Sequence, residues 1–314
     1  MPKLCDLLGL ESIKRRLAVR IAARRRDDRA MPHMLITGCS GCGKTTLARS
    51  IAEEVDALFF RREARVFKDS EMLAQYLIDC IEQGRQRNKK VVILLDEIHA
   101  LKKEVQETLY FPMVEHQVDT AKGFVQLGED FCIIGATTDK AALTKPLVSR
   151  FGSEVWDIGR YPTMLLATIV GRKFVSVGFN FDLQAAIAIG SRGLGIPRRC
   201  ELMADAVIDV VRARDGDYVT EDDVLDVVEM EGLDELGLDP IQQRYIAVLQ
   251  RGPCKIAVLS SRVEQPDALL KAEVEPVLIA LGMLSISGGG TRMLTELGKA
   301  YGLEKRGETA SEMI

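Results

Sequence analysis

No stretch of the chain reaches the roughly 20 apolar residues that span a bilayer. Its start, Met1-Pro2-Lys3-Leu4-Cys5-Asp6, lacks the basic-then-apolar layout of a secretion signal. Both absences point to the cytoplasm and away from a membrane. Histidine is scarce, with three in 314 residues; only His99 lies beside a motif, where packing or hydrogen bonding is its expected part. The seven cysteines are odd in number and follow no regular framework, so they are expected to stay free thiols in a reducing compartment. A surplus of positive charge is missing as well. The net charge of −4 does not mark a nucleic-acid binder, yet the charges are segregated, with basic residues crowding Lys14 to Arg29 and acidic ones crowding 205–239. Such blocks form solvated faces or contacts between subunits. At 47 % hydrophobic residues, the chain has room for two or three domains with real cores.

What the chain does have is Gly38-Cys39-Ser40-Gly41-Cys42-Gly43-Lys44-Thr45-Thr46, between the apolar run Met34-Leu35-Ile36 and the helix-like 47–52. G-x-x-x-x-G-K-T in a strand-loop-helix setting is a P-loop. The glycines let the backbone wrap a phosphate, Lys44 reaches the β and γ oxygens, and the Thr45 hydroxyl sits on Mg²⁺. The helix that follows turns its positive end to the same phosphates. A nucleoside triphosphate with Mg²⁺ is therefore the expected ligand. Cys39 and Cys42 form a C-x-x-C inside this loop, but no second pair is spaced for zinc. Thiols near a helix N-terminus are acidified, which leaves redox sensitivity as a secondary reading.

Around the loop, elements alternate. Residues 11–29 read as a helix burying Ile13, Leu17, Ile21 and Val19, and Ser70 reads as the cap of a helix carrying Leu73, Leu77, Ile78 and Ile81 that Gly84 begins to close. Val91-Val92-Ile93-Leu94-Leu95 is too short for a helix and reads as a strand buried on both faces. It ends at Asp96, expected to hold Mg²⁺ through its water shell, and Glu97, expected to polarise the attacking water. A further core strand, 131–136, ends at Thr137-Thr138, where ligands bind in open α/β sheets. Ser149-Arg150-Phe151-Gly152 has the form of an arginine finger in ring-forming ATPases. The sum is an α/β P-loop domain over 1–160.

Beyond Tyr161-Pro162 the pattern turns helical. Residues 181–189 and 199–212 have helical apolar spacing, and Thr220 opens another helix, giving a small all-helical lid over 161–232. Arg198 stands at a helix start that would aim it at the nucleotide. Residues 232–240 read as a linker ending in an N-cap. Helices over 241–250, 256–263 and 268–281, the last strained or broken by Pro276, then lead to a hairpin of 283–286 and 292–295. Three helices and a hairpin make a winged helix over 233–314, a motif used on DNA and in protein contacts. With nine Lys/Arg against eight Asp/Glu from Ile241 on, charge does not decide between these uses.

At this point the chain resembles the RuvB family, AAA+ motors that drive Holliday-junction branch migration as hexameric rings. The likeness runs through Pro2-Lys3-Leu4, Leu8-Gly9, the P-loop, Asp96-Glu97-Ile98-His99, Ile134-Gly135-Ala136-Thr137-Thr138, Arg150-Phe151-Gly152, Pro197-Arg198, Asp234-Glu235-Leu236-Gly237-Leu238-Asp239 and Glu275-Pro276. It implies ATP as the nucleotide, Leu8 and Tyr161 near the adenine, and Thr138 as sensor 1. It also implies Arg150 as the finger reaching a neighbour's γ-phosphate and Arg198 as sensor 2. The implied partners are duplex or four-way DNA, further copies of the chain, and a RuvA-like junction-binding protein. Three departures stand out. The arginine that precedes the N-terminal proline in the family is Met1 here. The insertion that projects as a hairpin to the RuvA partner shrinks to about 116–130, with few apolar residues. The family's wing, Arg-Thr-Pro-Arg-Gly-Arg, keeps only Arg292, the expected nucleic-acid contact.

Three functions stay open on these residues. The first is an ATP-driven DNA translocase. The second is an AAA+ switch that loads or releases a DNA-bound or protein partner without translocating. The third is a regulatory ATPase whose winged helix binds only protein.

Overall fold

The computed structural model describes residues 3–301. They fall into two compact units, one running to Leu165 and including Ile196–Arg198, the other made of Leu166–Gly195 and the described residues from Arg199 on.

The first unit opens with α1 (Glu11–Arg26) and is built on strands β1 (Met34–Gly38), β2 (Leu58–Glu63) and β3 (Val91–Asp96). A hairpin of β4 (Gln117–Thr120) and β5 (Gly123–Gln126) precedes β6 (Phe131–Thr137) and β7 (Val155–Ile158). Five of these form one sheet in the order β2-β3-β6-β1-β7, paired in parallel throughout. The alternation of β3 explains its unbroken aliphatic run. Ile93 and Leu95 face a core with Leu35, Leu73, Leu77 and Ile133, while Val92 and Leu94 face another with Leu17, Ile36, Leu47 and Ile51. Helices α2 (Lys44–Glu54) and α3 (Ser70–Gln86) supply these opposite covers.

Several local expectations change. In α1, Ile13, Leu17 and Ile21 are buried but Val19 is 67 % exposed, because two residues past Leu17 it points to the opposite side of the helix. The cap of α3 is Asp69, whose carboxylate accepts the Met72 N–H at 2.9 Å; Ser70 is already helical. Gly84 begins the helix exit as expected, its carbonyl accepting the Arg87 and Lys89 N–H groups at 3.1 and 3.0 Å. It lies within α3, where a Cβ would come within 2.3 Å of the Val91 side chain. Short helices α4 (Lys103–Glu107), α5 (Tyr110–Val114) and α6 (Lys145–Arg150) complete the unit.

In the second unit, α7 (Thr163–Ser176), α8 (Leu183–Arg192), α9 (Pro197–Ala213) and α10 (Glu221–Met230) make a helical cluster. It is not purely helical. β8 (Asn180–Phe181) and β9 (Tyr218–Val219) pair in parallel, so Phe181 precedes α8, which Asp182 caps through the Ala185 N–H. Then come α11 (Pro240–Leu249), β10 (Cys254–Lys255), α12 (Ile256–Val263), α13 (Asp267–Leu269), a π-helical turn over Leu270–Val274, and α14 (Glu275–Ala280). The π turn lies just before Pro276, where the missing N–H and the ring forbid regular helix. Strands β11 (Leu284–Ile286) and β12 (Thr291–Leu294) close an antiparallel β10-β12-β11 sheet, giving a winged helix-turn-helix.

The segment 232–240, expected as a linker between a lid and a separate tail, is tightly held. Asp234 accepts the Leu236 and Leu238 N–H groups at 2.9 and 2.8 Å, and Arg199 donates to the Gly237 carbonyl at 2.8 Å. Gly237, at φ +81°, lies so close to Arg192 that a Cβ would meet that backbone at 2.2 Å. Leu194, between α8 and α9, joins the winged-helix core. Lid and winged helix therefore make one compact unit.

Candidate functional site

The site lies at the C-terminal ends of β1, β3 and β6, where an open parallel sheet presents its loops. The P-loop leaves β1 through Gly38 at φ +146°, where a Cβ would come within 2.6 Å of the Ile158 carbonyl. Gly41 and Gly43 follow at φ +77° and +95°, leaving the intervening peptides free to turn inward. Gly43 is the N-cap residue of α2, with Lys44 the first helical residue. Lys44 is only 6 % exposed, and its ammonium donates to the Gly38 and Cys39 carbonyls at 2.9 and 3.0 Å. Burial lowers its pKa from the ordinary lysine value, while Glu97 and Asp96 oppose the shift. Ser40 and Thr46 are exposed at the loop surface.

The Thr45 hydroxyl donates to Asp96 Oδ2 at 3.2 Å. The same oxygen accepts Arg61 Nε and a terminal guanidinium nitrogen at 3.1 and 2.8 Å. Arg61, on β2, was not singled out in the sequence, because nothing in Leu-Phe-Phe-Arg-Arg-Glu says which arginine turns to the neighbouring strand's end. Glu97 occupies the left-handed region at φ 50°, a conformation that non-glycine residues keep only when the surroundings hold them. Here Thr138 donates to Glu97 Oε2 at 3.1 Å, and His99 Nδ1 lies 3.2 Å from that oxygen and 3.0 Å from the Thr137 hydroxyl. His99 thus hydrogen-bonds as expected, to Thr137, and rests beside the Glu97 carboxylate that Thr138 also contacts.

Tyr161 reaches the loop from the other side, donating to the Cys42 carbonyl at 3.2 Å; burial raises its pKa. Leu8 is half-buried, and its neighbour Gly9, at φ +73°, would set a Cβ 3.3 Å from the Tyr161 ring. Met1, the position where the family carries an arginine, lies outside the described residues. The Arg198 N–H approaches the Gly41 carbonyl at 3.3 Å, and a Cβ on Gly41 would meet the Arg198 side chain at 2.7 Å. That approach is a second reason for glycine at position 41.

Arg150 is elsewhere in the first unit. It ends α6, donates to the Pro146 carbonyl at 2.9 Å and stacks over Tyr110 at 3.9 Å. It lines a cavity of about 430 Å³ with Arg20, Arg24, Arg29, His33 and His116, and no P-loop residue shares that wall.

Two expectations are corrected. Cys39 and Cys42 are joined as a disulfide, whereas Cys5, Cys80, Cys132, Cys200 and Cys254 are free; the turn across the P-loop brings this one pair together. Arg292 is not displayed on the wing. It and Glu275 have side chains only 9 % and 6 % exposed and pair through Nε at 2.9 Å and a terminal nitrogen at 3.2 Å, and Tyr245 donates to the same carboxylate at 2.9 Å. Arg292 meets the wing turn from inside, donating to the Gly290 carbonyl at 2.8 Å, and the exposed cation there is Lys255, which donates to the Gly289 carbonyl.

A parallel sheet in this order, with a P-loop after β1, an acidic pair ending β3, the next strand but one, and a threonine pair at the end of β6 between them, defines a P-loop ATPase of the AAA+ class. Comparison narrows the class. Residues 2–156 match the Holliday junction DNA helicase RuvB P-loop domain, and residues 235–302 match the RuvB C-terminal winged helix domain. A Holliday junction branch migration complex subunit RuvB from Fervidobacterium nodosum is 31 % identical over 310 residues, covering 95 % of this chain and 86 % of that protein. The namesake from Thermotoga maritima is 30 % identical over 313 residues, with 96 % and 90 % coverage. The solved Thermotoga maritima RuvB Holliday junction branch migration motor superposes with a TM-score of 0.83 at 28 % identity, over 96 % of this chain and 97 % of that one. The Aeropyrum pernix ORC2 protein, at 16 % identity and a TM-score of 0.61, shares the fold alone. The chain belongs to the RuvB family.

Proposed function

We propose that this protein is an ATP-driven DNA translocase that moves the branch point of four-way junctions, working as a ring of six in the cytoplasm. The observation that carries the reading is the set Lys44, Thr45, Asp96, Glu97 and Thr138 gathered at three strand ends of a chain that matches RuvB along nearly its whole length. The residues fit ATP and Mg²⁺. Gly38 and Gly41 pass so close to Ile158 and Arg198 that no Cβ fits the loop's turn, and the Asp96 oxygen beside Thr45 already carries a cation, the Arg61 guanidinium. Thr45 and Asp96 would hold the metal, whose charge would neutralise the β and γ phosphates.

The chain's own residues then divide the work. Lys44 exchanges backbone carbonyls for phosphate oxygens. Thr138 and His99 hold the Glu97 carboxylate, which orients the attacking water. Leu8 and Tyr161 border the adenine, and Arg198, whose N–H meets the Gly41 carbonyl, serves as sensor 2. Arg150, on a wall apart from the P-loop, serves a neighbouring copy's nucleotide. The β4–β5 hairpin, where Phe124 is 58 % exposed and packs edge-on against the exposed Phe111 at 5.7 Å, is the docking point for a RuvA-like protein.

The inward turn of Arg292 favours a second reading, a switch that loads or releases a partner without translocating. ATP hydrolysis at rising protein concentration, with and without a synthetic four-way junction, tests the proposal. Cooperative, DNA-stimulated turnover supports the translocase; turnover indifferent to DNA at every concentration refutes it.

A further inference from the structure

We infer that the P-loop carries a reversible dithiol–disulfide switch, Cys39–Cys42, that controls nucleotide binding. The inference rests on the ATP-site reading above and adds regulation to it.

The two residues span a single turn of the loop, with Cα atoms 5.7 Å apart, within the 4.4–6.8 Å that a disulfide bridges. Their surroundings suit exchange. Both precede the N-terminus of the eleven-residue helix α2, and the Lys44 ammonium rests on the Cys39 carbonyl at 3.0 Å. Access is unequal: Cys39 is half-buried, whereas Cys42 is fully buried in the core below the loop with Leu47 and Ala48. The outer thiol therefore meets the oxidant and the inner one resolves.

With a low-molecular-weight disulfide as oxidant, the Cys39 thiolate attacks one sulfur, forming a mixed disulfide and releasing one thiolate. The Cys42 thiolate then attacks Cys39 Sγ and releases the second. Two protein thiols become one disulfide, two electrons pass to the oxidant, and the two protons end on the two released thiols.

The consequence follows from what the bridge fixes. In the closed loop Lys44 is held by the Gly38 and Cys39 carbonyls. To meet a phosphate, the ammonium must exchange those bonds while the 38–39 peptide adjusts. The bridge ties that peptide to Cys42, which is buried and whose carbonyl is fixed by Tyr161, while the adjoining Gly41 carbonyl accepts the Arg198 N–H. Oxidation should lower nucleotide affinity, and a thiol reductant should restore it.

The test is binding of a fluorescent, non-hydrolysable ATP analogue with Mg²⁺ by the full chain, reduced and then oxidised with oxidised glutathione, with the bridge located by peptide mass. We expect a Cys39–Cys42 disulfide and at least a tenfold weaker Kd on oxidation, reversed by dithiothreitol. Cys39→Ala, whatever its affinity when reduced, should show the same affinity after oxidant, whereas Cys42→Ala should stop at one glutathione on Cys39, seen by peptide mass. Cys5→Ser, removing the exposed thiol, should keep the full response. Equal affinity of reduced and oxidised protein, or oxidation at any other pair, overturns the switch alone. Failure of the reduced protein to bind the analogue overturns the ATP-site reading and the switch with it.

Discussion

Replacing Arg292 by alanine separates a structural arginine from a DNA-binding one. Its guanidinium makes two hydrogen bonds to Glu275, at 2.9 and 3.2 Å, and a third to the Gly290 carbonyl at 2.8 Å. In the variant the Glu275 carboxylate stays buried with the Tyr245 hydroxyl as its remaining partner from this network. Removing one member of a buried pair costs about 3–5 kcal/mol, a large share of the roughly 5–15 kcal/mol that stabilises a typical domain. For a compact unit between the 60–100 and 150–250 residue classes about 1 kcal/mol corresponds to roughly 4 °C, so the melting transition of the second unit should fall by about 10 °C or more. Arg292→Met with Glu275→Leu, which removes both charges, should recover most of that loss. Lys255→Ala should do the reverse of Arg292→Ala: leave the melt unchanged and reduce the salt dependence of DNA binding by about one phosphate contact. Circular dichroism melts paired with salt titrations of duplex binding read both effects. An Arg292→Ala protein of normal stability but weaker salt dependence would refute the structural assignment and return Arg292 to the wing.

Other residues give equally direct outcomes. Arg150→Ala should lower ATP turnover by about 10³-fold or more while leaving nucleotide binding intact, measured by steady-state hydrolysis and equilibrium binding; normal turnover would remove it as a finger acting between subunits. Phe124→Ala should weaken pull-down of a RuvA-like protein without changing DNA-free ATPase activity, and unchanged capture would place docking elsewhere. His33 accepts the Ile133 N–H at 2.9 Å, and its pKa is lowered to about 4, chiefly by burial and secondly by His116. Because the folded value lies below the unfolded one, near 6.5, this contribution is present above pH 6.5 and is lost as pH falls toward 4. The loss is on the order of 3 kcal/mol. Urea titrations at pH 7 and pH 4.5 of the parent and His33→Gln should differ in slope with pH, and parallel curves would contradict the assignment.

Much of the P-loop and strand-end geometry was legible because its signals are local. Five aliphatics before Asp96-Glu97 can only be a strand covered on both faces, and the P-loop states its own turn. Other features needed contacts that sequence spacing does not print. Arg61 reaches Asp96 from the neighbouring strand, and His99 meets Glu97 only because the turn of Ile98–Ala100 folds back over it. Helix α7 went unseen because its Thr-Met-Leu-Leu-Ala-Thr-Ile-Val run is apolar on most sides and has no clean period. The exposed Phe111–Phe124 pair arises only when the hairpin folds back beside α5. Arg292 is different, since the signal was present: in a two-residue period it shares a face with Leu294, which is core. Reading it as a wing cation gave more weight to its position in a family motif than to the parity of its own strand.

The central claim is movement of a DNA branch by ATP hydrolysis, and a strand-exchange assay on a labelled four-way junction with homologous arms addresses it most directly. The account predicts ATP-dependent conversion to two duplexes by the parent protein with its junction-binding partner, and none by Glu97→Gln, which should still bind ATP. Hydrolysis stimulated by the junction without any conversion to duplexes would contradict it and make the protein a switch.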